Sequence, residues 1–159
     1  MELNLNNKTA LITGASKGIG KAIAESMAKE GCNLILTARS EDKLKTLKED
    51  LQKNHNISVE ILAIDLSKKN SVEKISEFSG DVDILINNAG AIPPGNLSDI
   101  DEDTWRNAWN LKLFGYINLT RLIYNKMKLV KDGVVLNIIG SAGQKPMYNY
   151  IAGTTANAA

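Results

Sequence analysis

The sequence predicts an α/β fold in which a doubly wound parallel sheet is covered by helices on both faces, giving three α/β/α layers. Short apolar runs alternate along the chain with amphipathic stretches of helical period. Each amphipathic stretch is long enough to be the crossover helix that joins two parallel strands. The 159 residues, 43% hydrophobic and 23% charged, suit one globular domain. We therefore expect a single domain over residues 1–159.

The first four predicted elements alternate between strand and helix. Residues 9–13 (TALIT) form an apolar run typical of a buried strand, and residues 18–29 follow as an amphipathic helix. Residues 33–38 (NLILTA) are predicted as the second strand. Residues 40–53 then read as a surface helix, because leucines recur three and four residues apart among acids and lysines.

The remaining elements continue the same alternation. Residues 58–65 are predicted as strand three, residues 71–78 as a short helix and residues 82–87 (VDILIN) as strand four. One long helix is expected over residues 101–128, followed by strand five at residues 133–139. This order is that of successive β-α-β units, which form a parallel sheet.

Bulk composition excludes several functions. A formal net charge of +1 provides no field that would attract nucleic acid or anionic lipid. No apolar run approaches the ~20 residues that a membrane helix needs, and no His, Cys and carboxylate cluster has metal-ligand spacing. The single cysteine, Cys32, cannot form an internal disulfide. We expect a soluble cytoplasmic protein with no metal, no nucleic acid and no membrane as partner.

A glycine-rich segment, residues 13–20 (TGASKGIG), joins the first predicted strand to the first helix. Gly14 permits a tight turn, Gly18 lets the backbone approach a pyrophosphate, and Gly20 lets helix and strand pack closely. The helix N-terminus adds unpaired N–H groups and the positive end of the helix dipole. The segment therefore predicts a dinucleotide site, although three glycines alone could form a purely structural turn.

Three ordered motifs resemble the short-chain dehydrogenase/reductase family. The glycine spacing is GxxxGxG rather than GxGxxG, IDL follows at residues 64–66, and NNAG follows strand four at residues 87–90. The resemblance implies a Rossmann-type fold and hydride transfer between a nicotinamide cofactor and a small-molecule carbonyl or alcohol. It also implies that the second motif contacts adenine and that Asn87 and Asn88 help to hold the sheet together. The cofactor contacts implied by these motifs are Gly14, Ser16, Lys17, Gly18, Ile19, Gly20, Asp65, Leu66, Asn88, Ala89 and Gly90.

The residues after strand two favour NADP(H) over NAD(H). An NAD enzyme usually places an acid at this point to bind the ribose 2′-hydroxyl, whereas residues 36–40 (LTARS) contain none and the first acid is Glu41. Arg39 could clamp a 2′-phosphate by charge-assisted hydrogen bonds, and Lys17 in the glycine loop could reach the same group. The alternative is that both are solvated surface cations.

The expected catalytic residues depart from the family pattern. The resemblance implies a Tyr-x-x-x-Lys pair on the helix after strand five, a serine at that strand's exit and an asparagine in the long helix. Lys112 stands at the asparagine position, seven residues after Trp105. Gly140 stands at the serine position, unless the loop is one residue shorter and Ser141 is the match.

The tyrosine and lysine positions are taken by Gly153 and Asn157. One explanation is a divergent enzyme in which an amine and an amide have exchanged places and a displaced tyrosine, Tyr150 or Tyr148, donates the proton. The other is a scaffold that binds NADP(H) without catalysis. We favour the enzyme, since drift after loss would not be expected to place Lys112 opposite the missing lysine. The candidate catalytic residues are Lys112, Ser141, Tyr150 and Asn157.

The last residues, TTANAA, have the composition of a helix start, and a sheet of this family has six or seven strands. We therefore expect an incomplete domain that lacks the C-terminal strands and the substrate lid, with a compact five-stranded domain as the alternative. The resemblance also implies a homo-oligomer built partly on the long helix and on the helix after it.

Overall fold

A computed structural model describes residues 3–159, so the single unit expected over residues 1–159 is described from residue 3 onward. Its sheet has five strands, all parallel, in the order β3-β2-β1-β4-β5. The order reverses direction between β1 and β4, as the predicted doubly wound fold requires. The strands are Thr9–Thr13 (β1), Asn33–Ala38 (β2), Val59–Ala63 (β3), Ile84–Asn87 (β4) and Val134–Asn137 (β5).

Helices connect the strands and follow the last one. Strands three to five are shorter than predicted, because the apolar pattern continues beyond the last hydrogen-bonded pair of each ladder. A short 3₁₀ turn, Ser141–Gly143, follows β5. The α-helices are Gly18–Lys29 (α1), Glu41–Asn54 (α2), Ser71–Ser79 (α3), Glu102–Trp109 (α4), Gly115–Val130 (α5) and Ile151–Ala158 (α6).

The sheet separates two hydrophobic cores, which confirms the three-layer prediction. Successive side chains of a strand point to opposite faces, so Ile12 packs with α1 and α2 while Leu11 packs with α3 and α5. Both residues are fully buried. A strand buried on both faces is apolar throughout, which is why β1 reads as a continuous apolar run in the sequence.

The long helix predicted over residues 101–128 is present over residues 102–130, but it is not α-helical throughout. A π-helical segment, Asn110–Phe114, lies between α4 and α5, and the Gly115 N–H donates to the Asn110 carbonyl across this wider turn. At Gly115 a Cβ would lie 3.1 Å from Leu66 Cδ2, so the glycine lets the helix approach the end of β3 closely. Hydrophobic period cannot distinguish a π turn from an α turn, because both keep the same face apolar over a short span.

Within residues 3–159, no helix combines the length and the apolar character that crossing a membrane requires. The two tryptophans of α4 pack edge to face, with ring centroids 5.8 Å apart, and the indole N–H of Trp109 donates to the Ala152 carbonyl at 3.1 Å. These contacts attach the start of α6 to α4. They therefore help to set the position of the residues that follow β5.

Candidate active site and cofactor cleft

A cleft of about 680 Å³ opens where the strand order reverses, at the carboxyl ends of the strands. In a doubly wound sheet this is the place where ligands bind. Its walls come from the segments that follow all five strands, from the π-helical segment, from Tyr150 just before α6 and from Asn157 near the end of α6. Of the expected cofactor residues all but Gly20 line it: Gly14, Ser16, Lys17, Gly18, Ile19, Arg39, Asp65, Leu66, Asn88, Ala89 and Gly90.

The glycine loop has the shape that a pyrophosphate needs. Gly14 and Gly18 have φ angles of 69° and 56°, in the left-handed region that favours glycine. A Cβ on Gly18 would meet nothing within 4 Å, so this part of the backbone faces open space next to the start of α1. A phosphate placed there would lie at a helix N-terminus, where anions are stabilised. The loop therefore fits a dinucleotide.

Gly20 lies beneath the cleft rather than in its wall. A Cβ on this residue would lie 2.4 Å from the Gly14 carbonyl oxygen and 2.5 Å from Asn88 Nδ2. Real side chains do not tolerate such distances, so only glycine lets α1 pack directly under the loop. This is the helix–strand packing role expected from the sequence.

Gly20→Ala is expected to weaken NADPH binding at least about tenfold, because relieving the clash must move the glycine loop or the Asn88 amide. Fluorescence titration with NADPH measures the effect, and circular dichroism shows whether the fold is retained. Ser26→Ala, at an exposed position of the same helix, is the matched control. Unchanged NADPH affinity in a folded Gly20→Ala protein would contradict the packing role.

Hydrogen bonds tie the end of β4 to the glycine loop. The Thr13 hydroxyl oxygen accepts from the backbone N–H groups of Asn88 at 3.0 Å and Ala89 at 3.1 Å. In return, Asn88 Nδ2 donates to the carbonyls of Thr13 at 2.9 Å and Gly14 at 3.2 Å. These bonds fix the two central loops against each other.

Asn87 connects the same strand to its other neighbours. Its Nδ2 donates to the Asn137 Oδ1 of β5 and to the Thr120 hydroxyl of α5, both at 2.9 Å, and the side chain is fully buried. The sheet-holding role that was expected of Asn87 and Asn88 is confirmed by these contacts.

Asp65 lies at the cleft wall beyond β3. Its carboxylate accepts from the hydroxyl of Ser67 at 2.7 Å and from the backbone N–H of the same residue at 3.0 Å. Burial raises the pKa of Asp65, but these bonds and the nearby charges of Arg39 and Lys68 outweigh it and hold the pKa below its usual value. The aspartate is therefore charged and fixed where the resemblance expects adenine.

Three exposed cationic side chains line the cleft: Lys17, Arg39 and Lys43. Arg39 and Lys17 are exposed at its rim, as the NADP(H) hypothesis requires. Ser40 and Lys43 also line the cleft and were not among the predicted site residues. The signal was available, because Lys43 lies in the first turn of α2, only four residues after Arg39. Three cations lining one cleft would favour a phosphate group.

Lys112 lies at the opposite end, on the π-helical segment. Its ammonium donates to the Tyr116 hydroxyl at 2.9 Å and makes a short hydrogen bond to the Ile138 carbonyl beyond β5. The side chain is half-buried and also lines the cleft. Burial lowers the pKa of Lys112 to about 8. Tyr116 is a functional candidate that sequence reasoning missed, although it lies one helical turn from Lys112 on the same helix face.

The ring of Tyr150 occupies the space that a side chain at position 153 would fill. A Cβ on Gly153 would lie 2.0 Å from both Cε1 and Cζ of Tyr150. Tyr150 is partly exposed and lines the cleft, whereas Tyr148, the other displaced tyrosine considered above, is 83% exposed and does not. The Tyr150 phenol thus lies at the cleft, although this residue precedes the expected tyrosine position, Gly153, by about one helical turn.

The other two candidates lie differently. Asn157 is buried at the cleft wall, and its side chain accepts from the Gly140 N–H and donates to the Gly153 carbonyl, both at 2.8 Å. The amide therefore holds the loop after β5 against α6. Ser141 begins the 3₁₀ turn, is exposed and does not line the cleft. Lys112, Tyr150 and Asn157 come together at one cleft, and Ser141 lies outside it.

Among residues 3–159, no group of three or more His, Cys, Asp or Glu side chains is arranged to hold a metal ion. The reversal of strand order, the glycine loop and the cleft between them define a dinucleotide-binding protein of the doubly wound class.

Residues 8–159 match the family model of the short chain dehydrogenases, and the chain belongs to this oxidoreductase family. It is 36% identical over 147 residues to the uncharacterized oxidoreductase YvaG of Bacillus subtilis, covering 92% of this chain and 56% of YvaG. It is 34% identical over 158 residues to the 3-oxoacyl-[acyl-carrier-protein] reductase FabG of Vibrio cholerae, covering 94% and 63% of the two chains.

Solved structures resemble the fold over nearly the whole chain. L-sorbose reductase from Gluconobacter frateurii, complexed with NADPH and L-sorbose, superposes with a TM-score of 0.94 at 28% identity. A 7α-hydroxysteroid dehydrogenase complexed with NADH gives 0.92 at 28% identity. Each match covers 99% of this chain and 62% of the other. The chain therefore spans less than two thirds of the length of these relatives.

Proposed function

We propose that the protein is an NADP(H)-dependent oxidoreductase that transfers a hydride between the nicotinamide and a small-molecule carbonyl or alcohol, with a proton donor displaced from the usual position. The observation that carries the proposal is the ring of Tyr150 in the side-chain space of Gly153. Lys112 lines the same cleft, so a phenol and an ammonium are both available there. When bound, the nicotinamide cofactor supplies the hydride.

The cofactor would lie across the carboxyl ends of the strands. The glycine loop and the start of α1 would hold the pyrophosphate, and Asp65 and Leu66 would flank the adenine. Asn88, Ala89 and Gly90 would form the floor of the central part of the cleft, and Arg39, Lys17 and Lys43 would bind the 2′-phosphate by charge-assisted hydrogen bonds.

Each residue around the chemistry has a proposed role. Tyr150 donates its hydroxyl proton to the carbonyl oxygen during reduction and recovers it in the reverse direction. The Lys112 ammonium stabilises the negative charge that develops on that oxygen or on the tyrosine. Asn157 positions the loop at Gly140 through its two backbone bonds. Ser141 is left out of the proposed machinery because it is exposed outside the cleft.

Arg39→Ala is expected to weaken NADPH binding by about 10- to 100-fold, because one charge-assisted contact to the 2′-phosphate is lost. The affinity for NADH, which lacks that phosphate, should change less than about threefold. Fluorescence titration with both cofactors measures the ratio.

Arg121→Ala is the matched control for this experiment, since it removes the same charge from an exposed position of α5 outside the cleft. An equal loss of NADPH and NADH affinity in Arg39→Ala would contradict 2′-phosphate recognition.

A scaffold that binds NADP(H) without catalysis is the second candidate function. It is favoured by one observation: the Asn157 amide, which stands at the family's lysine position, has both polar atoms engaged with backbone. Saturable NADPH binding with no oxidation of NADPH by a panel of ketones and aldehydes would support the scaffold. Substrate-dependent loss of NADPH absorbance would support the reductase.

We also propose a homo-oligomer and a cytoplasmic location. The outer side of α5 carries exposed Ile117 and Tyr124 next to Phe114, and the family resemblance expects an interface along this helix. The chain has one cysteine, Cys32, which suits a reducing compartment. Sedimentation velocity of the full-length protein tests the oligomer, and Ile117→Glu should shift it toward monomer.

A further inference from the structure

We propose that Tyr116 is a positioning residue that holds the Lys112 ammonium at the cleft by presenting its hydroxyl together with the Ile138 carbonyl. The inference deepens the proposed function, because it matters for catalysis only if Lys112 acts there. Tyr116 is not expected to touch the substrate. Its hydroxyl lies behind Lys112, and its side chain is not part of the cleft wall.

Three polar atoms form a closed triangle. Lys112 Nζ lies 2.9 Å from the Tyr116 hydroxyl and is hydrogen-bonded to the Ile138 carbonyl oxygen, and the hydroxyl can donate to the same carbonyl at 3.3 Å. An ammonium carries three N–H donors. Two are engaged in the triangle, which leaves one for a group in the cleft.

The tyrosine ring adds a second attraction. The ammonium lies 4.5 Å from the centroid of the Tyr116 ring, within the range of a cation–π interaction. Tyr116 is 8% exposed, so its ring is fixed by packing and its hydroxyl needs a partner inside the protein. The described hydrogen bonds of this hydroxyl are those to Lys112 and Ile138.

The helix geometry brings the pair to this point. Lys112 lies in the π-helical segment and Tyr116 in the first turn of α5, four residues later. Side chains at this spacing lie on one face. Gly90 completes the wall, because its missing side chain leaves room for the Lys112 stem, whose Cδ lies 3.1 Å from where a Cβ would be.

Fixed neutral acceptors hold the ammonium, since none of the ion pairs formed within residues 3–159 includes Lys112. The loss of the Tyr116 hydroxyl would therefore leave the Ile138 carbonyl as the remaining acceptor of the two that stabilise the charged amine. The other titratable or charged side chains that line the cleft are Tyr150 just before α6, Asp65 after β3, and the cations Lys17, Arg39 and Lys43.

The test is a pH titration of Lys112 that is monitored by NMR, in the full-length protein labelled with ¹³C at lysine Cε. Tyr116→Phe keeps the ring and its packing but removes the hydroxyl, and should lower the pKa of Lys112 by about one further unit. Tyr124→Phe, on the exposed face of the same helix, should leave it unchanged. Lys112→Met assigns the resonance by its disappearance.

Turnover provides the second readout. If the ammonium is the active form, activity falls as pH rises through the pKa of Lys112. In Tyr116→Phe this fall should begin about one pH unit lower, so that kcat is reduced about twofold at pH 7 and about tenfold near pH 9, with KM for NADPH unchanged. Tyr116→Leu removes the ring as well as the hydroxyl, so it should lower the pKa of Lys112 at least as far as Tyr116→Phe does.

The outcomes separate the two claims. A Lys112 titration that is the same in wild type and Tyr116→Phe overturns the positioning role, whatever happens to turnover. A shifted titration in Tyr116→Phe, together with unchanged turnover in Lys112→Met, supports the positioning of the ammonium and contradicts the proposed catalytic role of Lys112.

Discussion

Lys112→Met is expected to lower turnover by about 10²- to 10³-fold while leaving NADPH affinity within about threefold of wild type. Methionine retains much of the aliphatic stem that packs against Gly90 but removes the ammonium that we place near the reacting oxygen. Steady-state kinetics on the best substrate of a ketone and aldehyde panel measures kcat. Lys128→Met, at an exposed position of α5, is the control. Near-normal turnover in Lys112→Met would contradict the hypothesis that the Lys112 amine takes the place of the missing lysine in catalysis.

The same variant should be more stable than wild type at neutral pH. Burial lowers the pKa of Lys112 to about 8, so the folded protein loses free energy by keeping this group charged at pH 7. In the variant the Tyr116 hydroxyl can still donate to the Ile138 carbonyl. We expect the melting temperature to rise by about 2–4 °C.

The difference should diminish with pH. Between the folded pKa and the unfolded value of 10.5, the unfolded chain binds more protons at Lys112, so the stability of wild type rises with pH relative to the variant. Thermal unfolding of both proteins between pH 7 and pH 10 measures this convergence. A constant difference across that range would mean that Lys112 titrates normally.

Tyr150→Phe is expected to lower kcat by about 10²- to 10⁴-fold, since it removes the proposed proton donor and leaves the ring in place. Binding of NADPH should be preserved, because the glycine loop and the β4 loop do not depend on this hydroxyl. The ring must stay in the space beside Gly153 for the comparison to be valid, and phenylalanine meets this condition.

Tyr148→Phe is the matched control, because Tyr148 was the other displaced tyrosine that the sequence allowed and it projects into solvent. A loss of turnover in Tyr148→Phe with none in Tyr150→Phe would show that Tyr148, and not Tyr150, donates the proton. Loss in neither would favour a donor outside these two residues or the scaffold function.

The architecture was largely predictable from the sequence. Buried parallel strands are apolar on both faces, so β1, β2 and β4 could be located from continuous runs such as 9–13. The glycine spacing predicted the turn before α1, and both Gly14 and Gly18 adopt left-handed backbone conformations there. Strand ends were less accurate, because side-chain patterns do not record where ladder hydrogen bonds stop.

The catalytic end of the cleft was less predictable. The spacing of the family motifs predicted Lys112 and Tyr150 near the site, but it could not show that the Tyr150 ring takes the place of a side chain at Gly153. The π turn before α5 and the hydroxyl of Tyr116 depend on three-dimensional packing that a linear pattern does not encode. Ser141 matched by its neighbours in the chain, yet it begins the 3₁₀ turn after β5 and does not line the cleft.

The bonds that join Thr13, Asn88 and Asn87 across three strands have a consequence for molecular recognition. The floor on which a dinucleotide would lie is already cross-braced before any ligand arrives. Cofactor binding therefore orders few loops at this floor, and the loss of conformational entropy takes away little of the binding free energy. Discrimination between NADPH and NADH then depends on the exposed cations Arg39, Lys17 and Lys43, whose side chains can adjust to the ligand.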